Sequence, residues 1–272
     1  HELAHMWFGN LVTMQWWTHL WLNESFATWM SYPTTAHLFP EWRVWTQFIS
    51  SRHLIALHTD SLRTTHPIDV AVYHPREIRE VFDVPITYCK GSAIVRMIAD
   101  YLGDKKFRTG VSHYMKKHSY GNTVTEDLWD ALAESSGEDV RDIMKNWTQK
   151  PGYPLLTARK VQKGIVIEQE RFFLSQEQAK KGDTTLWQIP ISMSVGSEQN
   201  VQRLLLTKRK QLVPVNWKKY SWVKLNFKSS SFCRVRYDEA LLAGLREAKR
   251  TGQLKARDRI GIAADLVALG RS

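Results

Sequence analysis

The feature that most constrains this chain is a change of hydrophobic period at the stretch "KPGYP", residues 150–154. Before it the apolar residues recur every three to four positions, and after it every second one. In "YCKGSAIVRMIADYLG", Ile94, Met97, Ile98, Tyr101 and Leu102 line one face of a helix, and Gly103 is placed as its stop. Phe107, Val111, Tyr114 and Met115 repeat the pattern. Val140, Ile143, Met144 and Trp147 repeat it again after "TVTEDLW", where Thr123 and Glu126 have capping-box spacing. The prolines and glycine of "KPGYP" end any helix. Beyond them "GIVIEQERFF", "LWQIPISMSV", "VQRLLLT", "WVKLNFK" and "FCRVRY" are short strand-like runs, which predicts a small antiparallel β-sandwich over roughly 155–238. From Asp238 the helical pattern returns, and "ARDRIGIAADLVALGRS" ends with its apolar face uncovered.

The fold class expected is therefore α + β and multidomain. A mainly helical part covers 1–153, a β-sandwich 154–238, and the start of a further helical domain 239–272. The 272 residues, 43% hydrophobic and 24% charged, suit a soluble globular chain with a sizeable core. No apolar run approaches the roughly 20 residues that span a bilayer, so no membrane segment is expected. Cys89 and Cys233 form no metal-type pair and no disulfide framework, which fits a reducing, cytoplasmic location.

The net charge of +11 raises the question of nucleic acid. Residues 201–257 hold 15 basic and 3 acidic groups, so the excess sits in one segment. There the charges alternate with apolar residues, as on the solvated face of a sheet, and no recognition motif accompanies them. The expectation is no nucleic-acid partner, but a face that packs against an acidic neighbouring domain.

The chemistry lies at the first residues, "HELAHMWFGNLVT". His1 and His5 are four positions apart, so a helix would present both rings to one ion, with Glu2 beside it. This is H-E-x-x-H, in which two histidines bind zinc and the glutamate takes a proton from the attacking water. Such a site needs a third protein ligand, and "WLNESFATW" offers Glu24, nineteen positions after His5. The surrounding tryptophans and phenylalanines would keep the site dry and strengthen its electrostatics. The other histidines, His19, His37, His53, His58, His66, His74, His113 and His118, have no ligand-type spacing to one another.

With "HELAHMWFGNLVT", "WLNESFA", "YCKGSAIVRM", "WTQKPGYP" and "KARDRIGIAADLVAL" in this order, the whole chain resembles the M1 family of zinc aminopeptidases. The resemblance implies the C-terminal part of a thermolysin-like catalytic domain, then a β-sandwich, then the start of a helical domain. It implies one zinc held by His1, His5 and Glu24, Glu2 as general base, and Tyr88 of "ITYCKG" as donor to the developing oxyanion. The reaction implied removes single residues from peptide substrates with a free N-terminus. Two departures stand out. "FDVPITY" has one residue more than the family's F-D-x-I-x-Y, which either is taken up by Pro85 as a bulge or displaces Tyr88, and G-x-M-E-N, the family's amine-gripping motif, is not among the 272 residues. That motif is expected upstream of a truncated chain, and a piece starting at His1 is expected to bind zinc weakly and turn over poorly. Two alternatives stay open: a related zinc endopeptidase or epoxide hydrolase, and a catalytically inactive binding or structural module.

Overall fold

The computed structural model describes residues 1–175 and 183–270. Residues 176–182 of the strand-rich region and the last two of "ARDRIGIAADLVALGRS" lie outside the described residues. Mixed helix and sheet are arranged in two compact units, His1–Asp60 with Thr64–Pro151, and Ser61–Arg63 with Gly152–Ser272. Among the described residues no helix is long and apolar enough to cross a membrane.

The first unit is helical. Its elements are the strand β1 (Val12–Met14), helices α1 (Trp21–Leu38), α2 (Val44–Phe48), α3 (Leu54–Thr59), α4 (Ile78–Val81), α5 (Gly91–Leu102) and α6 (Asp104–Lys117), the strand β2 (Gly121–Thr123), and helices α7 (Thr125–Ser136) and α8 (Val140–Gln149). The periodic residues form its interior, with Ile94, Met97, Ile98, Leu102, Phe107, Tyr114, Met115, Val140, Ile143, Met144 and Trp147 all buried. Gly103 ends α5 at φ +80°, a region that glycine enters without the Cβ penalty. Aromatic packing ties α1 to its surroundings: Phe26 stacks on Phe8 with ring centroids 4.7 Å apart, and Trp21 lies 5.4 Å from Trp129. The expected capping box is displaced by one residue. Helix α7 starts at Thr125, and Asp127, not Glu126, accepts the hydrogen bond from the Val124 N–H at 2.9 Å. The Thr123 hydroxyl is instead paired with the Tyr114 hydroxyl in the core. A buried side-chain partner outcompeted the local cap.

The second unit carries two sheets. One has the order β7 (Lys210–Pro214), β4 (Gly164–Arg171), β3 (Pro154–Val161), β9 (Arg234–Tyr237), and the other β6 (Val201–Leu206), β5 (Ile189–Val195), β8 (Val223–Leu225). Pairing is antiparallel except between β3 and β9. Strand β9 returns to β3 after the chain has built the other strands, and such a crossover allows parallel pairing that a hairpin cannot make. Strands β3 and β7 were not among the runs read as strands. The unit ends in helices α9 (Glu239–Arg250) and α10 (Ala256–Leu269).

The basic segment is not uniformly a solvated face. Lys224 and Arg234 are buried, at 3% and 5% exposure. The Lys224 ammonium donates to the carbonyls of Leu225 and Asn226 and lies 3.8 Å from Asp258, while Arg234 pairs with Asp265 at 3.2 Å. Both carboxylates belong to α10, seven positions apart and thus on one face of that helix. Buried cations persist only when paired, so the helix that an alternating pattern leaves uncovered supplies the charges that let the strand cations go inside. Leu266 and Val267, on the other hand, are more than half exposed. Cys89 and Cys233 are free and buried.

Candidate metal centre

The first five residues do not form the α-helix that the spacing predicts. Ala4–Met6 is a single turn of 3-10 helix, and Gly9, at φ +141°, turns the chain into β1. One helical turn suffices for the site, because the His5 N–H still bonds to the His1 carbonyl at 3.3 Å and stacks the two rings on one side. Glu24 enters from the first turn of α1, where an acidic side chain suits the positive helix end.

His1 Nε2 and His5 Nε2 are 3.1 Å apart, and Glu24 Oε2 is 3.3 Å from the first and 3.4 Å from the second. Ligand atoms bound tetrahedrally at about 2.0–2.1 Å from one zinc ion would be roughly 3.3 Å from one another. The lone pairs also fit. A carbonyl can only accept, so the contact of His5 Nδ1 with Phe8 O at 3.0 Å puts the ring proton on Nδ1 and leaves Nε2 with a lone pair. His1 Nδ1 lies 3.3 Å from the hydroxyl of Thr28, one turn beyond Glu24 on α1. With the His1 ring proton on Nδ1, toward the Thr28 hydroxyl, three lone pairs would converge, and a cation among them would relieve their mutual repulsion. The residues present therefore fit zinc. The site is half-sheltered, its side chains being 30%, 23% and 14% exposed in the order His1, His5, Glu24. The aromatic surround is divided: Trp21, Phe26 and Trp29 are core, whereas Trp7 and Trp16 are half exposed.

Tyr88 stands beside this cluster, its ring stacked on that of His1 with centroids 6.2 Å apart. Burial, then the negative charge of Glu24, then that of Glu2, push its hydroxyl up to about 12. The phenol thus keeps its proton at neutral pH and can donate a hydrogen bond. Glu2 itself is exposed, and its charge acts on the Tyr88 hydroxyl. Of the five residues singled out in the sequence, His1, His5, Glu24 and Tyr88 come together in direct geometry, and Glu2 reaches them through its charge.

The stretch "FDVPITY" runs into a π-helical turn, Val84–Lys90, which carries Tyr88. A π-turn accommodates one extra residue within a helical segment, and this one leads directly into α5. Asp83 caps the turn by accepting from the Ile86 N–H at 3.1 Å. At the other end Lys90 is fully buried against Asp60, 2.9 Å away. The Asp83 cap was readable, because aspartate two positions before proline is a helix-start signal. The pairing of Lys90 with Asp60, thirty positions distant, leaves no sequence signal.

His66, without a role on spacing alone, props that cap. Its Nε2 lies 3.3 Å from Asp83 Oδ2 and its Nδ1–H donates to the Pro67 carbonyl. The hydrogen bond to Asp83 raises the His66 pKa against the opposing effects of burial and Lys90. A histidine raised on folding stabilises fully below its unfolded value of about 6.5, and that stabilisation is lost as pH rises through the folded value. Because the pair is partly exposed, His66→Gln is expected to cost less than about 1 kcal/mol in acid and to converge on the parent in alkali. Thermal melts across pH check this; a deficit that grows with pH would contradict it.

Residues 1–147 match the model of the peptidase family M1 domain. The chain is 43% identical over 279 residues to Aminopeptidase M1-D of Oryza sativa subsp. japonica, a match covering 99% of this chain and 31% of that protein. It is 44% identical over 284 residues to Aminopeptidase M1 of Arabidopsis thaliana, with 99% and 32% covered. With the Alanine/arginine aminopeptidase of Saccharomyces cerevisiae it shares 41% over 272 residues, covering 100% and 31%. The chain spans about a third of the length of these curated relatives. A donor set of H-E-x-x-H and a distant glutamate, together with a family match over more than half of its length, means that the chain belongs to peptidase family M1.

Proposed function

We propose that this chain carries the zinc-binding and proton-transfer groups of an aminopeptidase acting on peptides with a free N-terminus. The observation that carries the reading is the convergence of His1 Nε2, His5 Nε2 and Glu24 Oε2 at the edge lengths of a tetrahedral zinc site. Zinc, when bound there, supplies a Lewis acid and makes water a stronger acid. Glu2 takes the proton from the attacking water and delivers it to the leaving amine. Tyr88 donates its hydroxyl proton in a hydrogen bond to the carbonyl oxygen as that oxygen gains charge, which favours the transition state over the substrate. In this reading residues 1–153 are the C-terminal part of the catalytic domain, 154–238 a β-sandwich, and 239–272 the start of a helical domain.

The test is hydrolysis of a leucyl reporter by the protein that carries this chain, with the α-amine free or acetylated, and with or without a zinc chelator. Chelator-sensitive cleavage of the free-amine substrate alone is expected. Equal cleavage of both substrates would make the protein an endopeptidase, and cleavage of neither would refute the reading. Tyr88→Phe is expected to lower kcat about 10²–10³-fold at little changed KM. A rise in KM alone would move Tyr88 from the reacting carbonyl to ground-state binding.

A further inference from the structure

Two residues outside the zinc and proton-transfer set join the ligand helix to the turn that carries Tyr88. Ser25 directly follows Glu24 on α1 and is fully buried. Its hydroxyl donates to the carbonyl of Thr87, the residue before Tyr88, at 2.6 Å. Opposite it stands Gly91, the first residue of α5. A Cβ built on Gly91 would lie 1.9 Å from Ser25 Oγ and 2.7 Å from Ser25 Cβ, closer than atoms can approach.

Gly91 has an ordinary helical backbone, φ −55° and ψ −48°, so conformational freedom does not require glycine there. Glycine in a helix costs about 1 kcal/mol relative to alanine, and space for Ser25 is what it provides in return. The two elements therefore touch backbone to side chain at the residues next to Glu24 and Tyr88. The Thr87 side chain cannot substitute for Ser25, because its hydroxyl is engaged with the Val81 carbonyl at 2.7 Å. The Ser25 hydroxyl thus ties Thr87, and with it the π-turn that carries Tyr88, to the helix that carries Glu24.

We propose that Ser25 and Gly91 form a positioning clamp that sets the reach of Tyr88 to the reacting carbonyl. The proposal rests on the aminopeptidase reading given above. Displacements on the ångström scale cost up to about a hundredfold in rate, so loss of one clamp bond should be visible in kcat.

The test compares Ser25→Ala in the parent and in a Tyr88→Phe background, measuring kcat and KM, zinc affinity by titration with the metal alone, and amide hydrogen exchange over 84–90. In the parent, Ser25→Ala is expected to lower kcat about tenfold, leave KM and zinc affinity within twofold, and speed exchange in 84–90. In the Tyr88→Phe background no further loss of kcat is expected, because the clamp acts through the phenol. Gly91→Ala attacks the same contact from the other side and should reproduce the pattern, which keeps the test decisive if one variant does not fold. An equal loss of kcat with and without the Tyr88 hydroxyl, or unchanged kcat and exchange, would overturn the clamp. Full activity of Tyr88→Phe itself would instead refute the role of Tyr88, while the exchange measurement would still judge the contact.

Discussion

Replacement of Glu2 by Gln is expected to leave zinc bound and to lower kcat about 10²–10⁴-fold, the range of general acid–base catalysis by one positioned group. The expectation follows from the division of labour among four side chains. The three metal-facing donor atoms belong to His1, His5 and Glu24, and all lie within 4.8 Å of one another. Glu2 is outside that set and exposed, and its charge acts on the Tyr88 hydroxyl. Glutamine keeps the shape and hydrogen bonding of the side chain but cannot accept and return a proton at neutral pH. Zinc content measured beside steady-state kinetics separates this outcome from its counterpart: Glu24→Ala should remove a ligand and lose the metal together with the activity. A Glu2→Gln protein that retains turnover, or that loses zinc, would show that the base lies elsewhere.

Lys90→Met is expected to destabilise the protein by about 3–5 kcal/mol, the usual cost of removing one partner from a buried ion pair. Both side chains of the Lys90–Asp60 pair are fully shielded from solvent. Lys90 also donates to the Lys150 carbonyl at 3.3 Å, and Asp60 accepts from the Thr65 hydroxyl at 2.8 Å. Methionine has similar length and no charge, so the Asp60 carboxylate would remain inside without the Lys90 ammonium. Replacing both residues, Lys90→Met with Asp60→Leu, should recover most of the loss, because a buried pair gains little over well-packed apolar side chains. Urea unfolding midpoints of the two variants decide the matter. A single variant as stable as the parent would mean that water or rearrangement compensates the charge. Because Lys90 closes the turn that carries Tyr88, this pair joins the stability of the unit to the placement of a proposed catalytic group.

The parts of the molecule that were legible in the sequence are those that depend on near neighbours. Helices α5, α6 and α8 follow from residues that repeat every three to four positions, and each buries the face so predicted except at Tyr101 and Val111, which are half-buried. The proposed metal-binding cluster was legible for a different reason: H-E-x-x-H needs only one turn of helix, and one turn is what residues 1–5 form, although the α-helix itself does not. Where near neighbours competed with distant ones, the reading slipped. Thr123 has the spacing of a cap, but its hydroxyl pairs with Tyr114 in the core. Lys224 and Arg234 alternate with apolar residues as surface cations do, yet they are inside, because Asp258 and Asp265 arrive from a helix some thirty positions later. The sequence by itself determined the class of the elements and the two histidines with the glutamate between them. Only the tertiary structure decided that Glu24 meets both imidazoles, that Val84–Lys90 forms a π-turn, and that Ser25 and Gly91 touch. Those outcomes depend on contacts between residues 19 to 66 positions apart, and periodicity carries no information on such pairs.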